Sequence, residues 1–275
     1  MSEIAAKQFP MTWEEAVAWL RGQADQQDLV RACFFDDPLL EAAQRYHAGT
    51  EWQAVQKLLP PSSGYALDLG AGRGIASFAL AKDGWQVTAL EPDPSDLCGT
   101  GAIRTLVAQS GLPIKVVQEM GENLPFADAA FDVVHARQIL HHAKNLRKLC
   151  VEVARVLRPG GMFIATREHV VDSPADLPAF LAAHPLHKLY GGEHAFMLEE
   201  YLGAIQQSGL RLLKALSPWE SDINLFPETE EWLLLRAKKQ LCLPLPASLL
   251  NALLRWKSRR LRTPGRLYTF VGERT

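Results

Sequence analysis

The run Ala66-Leu67-Asp68-Leu69-Gly70-Ala71-Gly72-Arg73-Gly74 constrains this chain more than any other stretch. Small and apolar residues around a single acid make a buried strand. The strand empties into a turn of three glycines, and a helical pattern over 73–83 follows. Glycine permits backbone angles that other residues resist and lets a ligand approach the main chain. A strand, a glycine turn and a helix in succession open an α/β sheet, and such sheets bind ligands at the carboxyl ends of their strands. Taken alone, a glycine-rich turn is weak evidence for a ligand, with a purely structural turn the lesser alternative.

The theme repeats. Residues 64–168 carry strand candidates at Tyr65–Leu69, Gln86–Leu90, Ile114–Gln118, Phe131–His135 and Gly161–Thr166. Helical patterns lie between them at 73–83, 95–110 and 144–157. Near-continuous apolar strands alternating with helices predict a parallel sheet covered on both faces. Pro159-Gly160-Gly161 reads as a helix stop ahead of the fifth strand. Residues 1–60 read as helical: Thr12 and Glu15 form a capping box, Trp13, Val17 and Leu20 recur at helical spacing, and further helices fall at 28–34 and 36–58. Pro60-Pro61-Ser62-Ser63-Gly64 is a breaker. Residues 170–195 are polar and loop-like. A helix at 197–208, a strand at Arg211–Leu216, helices at 228–241 and 246–261, and a strand at Arg266–Gly272 complete seven strands, with a helical insertion before the last. The expected division is a cap over 1–60, a sheet core over 61–170 and an acceptor-side region over 171–275.

Composition excludes broad classes. The 275 residues are 48% hydrophobic and 22% charged, as in an ordinary globular protein. No run of 18 apolar residues suggests a membrane span, and the start has no basic segment leading into an apolar one. Cys33, Cys98, Cys150 and Cys242 are far apart and form no CxxC pair, so reduced thiols in a cytoplasmic protein are expected, without zinc or disulfides. A net charge of −2 argues against a general polyanion binder.

The spacing of the turn narrows its ligand. The dinucleotide fingerprint is GxGxxG. Here the glycines run GxGxG, and Ile75 stands where a third glycine would serve helix packing, which disfavours a nicotinamide or flavin dinucleotide. Glu91 ends the second strand 21 residues after Gly70, the spacing of an acid that accepts hydrogen bonds from ribose hydroxyls.

Together, Asp68-Leu69-Gly70-Ala71-Gly72-Arg73-Gly74, Glu91, Gly121-Glu122-Asn123-Leu124-Pro125-Phe126, Phe131-Asp132-Val133-Val134-His135 and Leu157-Arg158-Pro159-Gly160-Gly161 resemble the ordered motifs of class I S-adenosylmethionine (SAM)-dependent methyltransferases. They are most similar to the broad small-molecule group, the type 11-like family, which includes ubiquinone/menaquinone-type and sterol-type enzymes. The resemblance covers about residues 60–170 and implies a seven-stranded Rossmann-like methyltransferase sheet. It also implies roles. Asp68 would hold the methionine ammonium of SAM. Gly70, Ala71 and Gly72 would let the methionine part lie on backbone, and Glu91 would bind the ribose. Pro92 would pack on one adenine face, with Leu124 or Met120 near the other, and Met120, Gly121 and Glu122 would form that wall. Arg137 and Gln138, after the fourth strand, would face the methionine part. One departure stands out: Met120 occupies the position where many relatives carry an Asp for the adenine amino group, so either Glu119 substitutes or that contact is made by backbone.

Methyl transfer from a sulfonium needs a general base only when the acceptor must lose a proton. Five of the eight histidines, His142, His169, His184, His187 and His194, fall on the acceptor side. His169, or a histidine of the 184–194 loop such as His187, is the candidate base, set against ordinary loop capping; His142 resembles a frequent family histidine. No HExxH or paired-carboxylate spacing marks a metal site. Phe34, Phe35 and Tyr46 are aromatic candidates for a lid, although core packing explains phenylalanines at least as well.

Between Trp232 and Gly272 there is no acid and there are nine basic residues. Leu249, Leu250, Leu253, Leu254 and Trp256 interleave with Arg255, Lys257, Arg259, Arg260 and Arg262. This reads as a basic amphipathic helix over 249–262: a solvated face, a site for an anionic acceptor, or a peripheral contact with an anionic membrane. The expected function is SAM-dependent methylation of a small molecule, at oxygen, on a hydroxylated metabolite or saccharide. The alternatives are a nucleic-acid or protein methyltransferase, for which no strong nucleic-acid signal exists, and a non-catalytic SAM-binding subunit.

Overall fold

The computed structural model describes residues 11–241 and 246–275, so Cys242 and the first ten residues of the expected cap lie outside the described residues. Four helices come first: α1 (Trp13–Arg21), α2 (Gln27–Ala32), α3 (Leu39–Ala48) and α4 (Thr50–Gln56). The Thr12–Glu15 capping box is formed in both directions at the start of α1. The sheet core follows as β1 (Tyr65–Leu69), α5 (Ile75–Lys82), β2 (Gln86–Leu90), α6 (Thr100–Ser110), β3 (Ile114–Val117), β4 (Phe131–Arg137), α7 (Leu146–Val156) and β5 (Leu157–Val171). The rest comprises α8 (Leu177–Ala183), α9 (His187–Tyr190), β6 (Phe196–Met197), α10 (Leu198–Gln207), β7 (Leu210–Leu216), α11 (Asp222–Leu225), α12 (Glu230–Leu241), α13 (Ala247–Ser258) and β8 (Arg266–Arg274).

Seven strands run in the order β3-β2-β1-β4-β5-β8-β7, and the two-residue β6 pairs with β5 at the side. The first five are parallel, and β8 is antiparallel to both its neighbours. The order reverses at β1, so the crevice a doubly wound sheet offers a ligand opens where β1 and β4 diverge. Apolar side chains on the two faces pack separately. One face meets α7 and α10 through residues such as Leu149, Val153 and Tyr201. The other meets α3 to α6 through Trp52, Phe78, Leu80 and Ile103.

Several expectations need correction. The helix expected over 36–58 is two helices, because Gly49 is extended (φ −81°, ψ 160°) between α3 and α4. The fifth strand is far longer than Gly161–Thr166. It begins at Leu157, ahead of Pro159-Gly160-Gly161, and continues to Val171. Residues 170–195 are not simply loop: α8 and α9 sit there, two turns or fewer each, too short for periodicity to reveal. The helix expected from 95 starts at Thr100, because Ser95 and Asp93 cap a preceding turn.

Candidate functional site

A cavity of about 460 Å³ opens at the carboxyl ends of β2, β1 and β4 and beside β5. Its composition follows the strand order. At the β1 and β2 end stand Asp68, Gly70, Ala71, Gly72, Glu91 and Pro92, with Met120, Gly121 and Glu122 beside them. Arg137, Gln138 and Ile139 leave β4 in the middle. His141, His142, His169, His184 and Glu193 stand at the β5 end. Three strand spacings, about 14 Å, separate the Glu91 and His169 ends.

Each end is built from specific local bonds. Glu91 is buried and accepts the N–H of Gly72 (2.8 Å) through Oε2 and that of Asp93 (3.0 Å) through Oε1. Burial pushes its carboxyl up to about 6, and the two amide donors oppose that rise. Asp68 is buried at the end of β1, where Oδ2 accepts from Ser77 Oγ (2.6 Å) and Oδ1 lies 3.2 Å from His135 Nδ1. Gly70, Gly72 and Gly74 all have positive φ.

The middle is roofed by the N-terminal helices. Arg137 is held by Glu51 of α4 through Nε (2.6 Å) and Nη2 (3.0 Å), under the rings of Phe34 and Tyr46. Burial opposes the charge on Glu51, but Arg137 and Arg167 prevail and hold its carboxyl below the ordinary range. Arg73, buried in the glycine turn, donates to the carbonyls of Phe34 (2.8 Å) and Asp36 (2.9 Å) and to Asp37 (2.6 Å). Trp13, Phe34 and Phe35 line the cavity from above. Tyr46 does not line it; it backs Phe34 edge-on at 5.1 Å.

The β5 end depends on a break in the strand. Arg167 has φ +60°, and the β5–β8 register shifts between Ala165 and Glu168. Such a bulge re-aims the side chains that follow it. Glu168 is fully buried. Its Oε1 accepts the N–H groups of Ile139 (2.9 Å) and Leu140 (3.0 Å), and its Oε2 accepts from His141 N (3.1 Å) and stands 2.7 Å from His141 Nδ1. His141 Nε2 lies 3.6 Å from Glu193 Oε2. Burial disfavours the His141 charge, but Glu168 and Glu193 outweigh it and push the imidazole up to about 9. His169 Nδ1 lies 2.9 Å from the Gly265 carbonyl, while burial and the neighbouring His141 push it down to about 4. The Tyr190 hydroxyl donates to Glu193 Oε1.

All ten residues singled out for the cofactor line this one cavity, as do Gln138, His142, His169 and His184. His187, at the start of α9, is not among the lining residues, and neither is His194. Glu119 does not line the cavity either; its carboxylate folds back onto the Met120 N–H (2.9 Å). Leu124 is buried behind the wall. Sequence reasoning missed Glu51, Arg73, His141, Glu168 and Glu193. Glu168 carried a signal: an acid at the end of an apolar strand needs a partner. The others meet only through tertiary packing.

Residues 67–165 match the family model described as "Methyltransferase domain". An uncharacterized methyltransferase of Mycobacterium sp. (strain JLS) is 34% identical over 113 residues, 41% of this chain and 42% of that protein. A ubiquinone biosynthesis O-methyltransferase of Rhizobium rhizogenes is 28% identical over 58% of this chain and 64% of its own length. The chain thus spans between about two fifths and two thirds of these curated relatives. The O-methyltransferase resE of Aspergillus sclerotiorum is 28% identical over 66% of this chain and 68% of its own. Among solved structures, an S-adenosylmethionine-dependent methyltransferase from Mesorhizobium loti aligns with TM-score 0.57 at 18% identity, covering 83% of this chain and all of that one. The [4+2]-cyclase SpnF aligns with TM-score 0.56 at 19% identity, over 85% of this chain and 80% of that one. At such identities the likeness is one of fold.

Proposed function

We propose that this chain, whose residues 67–165 match a methyltransferase-domain model, is a class I SAM-dependent enzyme that transfers the sulfonium methyl of SAM to a hydroxyl oxygen of a small molecule. The observation that carries this reading is the shared cavity. The ten cofactor positions and His169 line one space, whose volume is of the size that small-molecule sites enclose. In this reading Glu91 accepts the ribose hydroxyls, and Pro92 and Met120 flank the adenine. Gly70 to Gly72 and Asp68 hold the methionine part, and the acceptor lies at the histidine end. The Rhizobium and Aspergillus relatives, both O-methyltransferases, favour oxygen.

The donor is already activated, so the chain has to align an in-line displacement and exclude water. The roof of Trp13, Phe34 and Phe35 supplies the exclusion. His169 stands beside the acceptor with Nδ1 directed at a carbonyl, which leaves Nε2 as the lone-pair nitrogen. We assign His187 no contact with the acceptor, since it does not line the cavity. The test is a panel of hydroxylated acceptors, saccharides included, with S-adenosylhomocysteine (SAH) formation as readout. A methyl ether product, with His169→Ala slower by about 100-fold or more, supports the reading. N-methyl or C-methyl products, or His169→Ala at full rate, contradict it.

The same reading extends to the basic insertion. Arg255, Arg259, Arg262 and Arg266 pair with Glu230, Glu220 and Asp172, so much of the basic run is balanced within the chain. Leu249, Leu253 and Trp256 of α13, with Trp232 and Leu235 of α12, are exposed. Exposed apolar groups beside Lys238, Lys257 and Arg260 fit peripheral contact with an anionic surface. Salt-sensitive sedimentation with anionic but not neutral vesicles supports that contact; equal sedimentation with both contradicts it.

A further inference from the structure

The acceptor end holds three groups that no sequence spacing brings together. His141 lies in the turn after β4, His169 in β5 beyond its bulge, and Glu193 in the segment after α9. One donor atom from each lies within 4.8 Å of the other two, and among the described residues this is the group so arranged. We propose that His141 Nε2, His169 Nε2 and the Glu193 carboxylate bind a divalent first-row transition metal ion, Zn²⁺ by default, at the acceptor end of the cavity.

Three observations support the assignment. Two histidines and one glutamate form a donor set that catalytic zinc sites use, and three protein ligands leave a position for water or an acceptor oxygen. The 3.6 Å between His141 Nε2 and Glu193 Oε2 is close to the separation of about 3.4 Å between tetrahedral ligands around zinc. Every ligand also has an outer partner. His141 Nδ1 faces Glu168 at 2.7 Å, His169 Nδ1 faces the Gly265 carbonyl at 2.9 Å, and the second oxygen of Glu193 accepts from Tyr190. Such partners fix the tautomer and turn the other nitrogen toward a metal. An ion-paired histidine alone explains His141 with its two acids, but it does not explain a ring nitrogen of His169 within 4.8 Å of donor atoms of both His141 and Glu193.

The binding claim stands on these residues alone. What the metal does rests on the methyl-transfer reading. Bound there, the ion would act as a Lewis acid that lowers the pKa of an acceptor hydroxyl; the proton would then leave to water rather than to His169, whose Nε2 would be a ligand in that state and not a base. The oxygen lone pair then forms the O–C bond as the C–S bond breaks, and the electron pair stays on sulfur. The products are a methyl ether and neutral SAH.

The test is titration of Co²⁺, then Zn²⁺, into the metal-stripped full chain, followed by the visible absorption of bound Co²⁺ and by the melting temperature. We expect one Co²⁺ per chain, displaced by Zn²⁺, with a rise in Tm. Glu193→Gln and His169→Ala should each weaken binding about 100-fold, and Glu168→Gln, which keeps all three ligands but alters the partner of His141 Nδ1 and of the turn that carries it, between about 10-fold and 100-fold. Circular dichroism checks the fold of each variant, and the Tm response of the unaltered chain stands whether or not a variant folds. No stoichiometric Co²⁺ binding, or binding undiminished in folded Glu193→Gln, overturns the proposal. SAH titrated into the same metal-free chain separates the two readings. SAH binding without Co²⁺ binding removes the metal and leaves methyl transfer; Co²⁺ binding without SAH binding does the reverse.

Discussion

Gly70 and Gly72 sit two residues apart in one turn, both with positive φ, and answer to different constraints. A Cβ on Gly70 would collide with the Ile139 side chain, whereas one on Gly72 would meet no protein atom within 4 Å. Gly72 nevertheless lines the cavity. Gly70→Ala should therefore cost about 1–3 kcal/mol of stability, read by denaturant unfolding. Gly72→Ala should cost about 1 kcal/mol for the left-handed backbone but weaken SAH binding by more than its stability loss explains. Glu91 gives a pH signature. Its folded value, about 6, lies above the ordinary 4.5, so ionising it opposes folding. That cost is absent at low pH, appears as pH rises from about 4.5 through 6, and amounts to about 2 kcal/mol. Under the proposed ribose contact, ligand binding runs the other way, because the ribose hydroxyls would need the carboxylate as acceptor. SAM affinity should fall as pH drops through 6, and Glu91→Gln should flatten that dependence in calorimetry.

At the scale of elements, two ion-pair anchors join the N-terminal helices to the sheet. Glu51 of α4 holds Arg137 at the end of β4, and Arg73 of the glycine turn holds the segment between α2 and α3. Glu51 is fully buried, so Glu51→Ala would strand the largely buried Arg137 guanidinium, 16% exposed at the cavity. Breaking a pair in this way costs about 3–5 kcal/mol, which should appear as a lower denaturant midpoint. Arg73→Ala removes a clamp made mostly to backbone carbonyls, and we expect faster SAH release in stopped flow with a smaller change in Tm. The strand–helix alternation of the core was legible because each element is long enough to show its period. β5 was half legible. Its apolar run announces a strand, but the turn at Arg167 that aims Glu168 and His169 at the site is a backbone event with no period. α8 and α9 are too short to show one, and Pro174, Pro178 and Pro185 mask them further.

At the scale of the molecule, the proposed reading sets the chemistry out along the strand order: nucleoside end at β2, methionine part at β1 and β4, acceptor at β5. The cofactor half was readable because its residues follow one another in order along 68–137, each at a strand end. The acceptor half was not, because His141, Glu168, His169 and Glu193 meet only when β4, β5 and the segment after α9 pack together. The histidines were visible as a class, but which of them face the cavity was settled by folding: His169 and His184 do, and His187 does not. No helix among the described residues is long and apolar enough to cross a membrane. The central claim is that SAM occupies the cavity from Glu91 to Arg137. Calorimetric titration of SAH into the full chain and into Glu91→Ala tests it most directly. The account predicts one site with micromolar affinity, weakened at least tenfold in Glu91→Ala. No binding to the unaltered chain, or equal binding to both proteins, would contradict it.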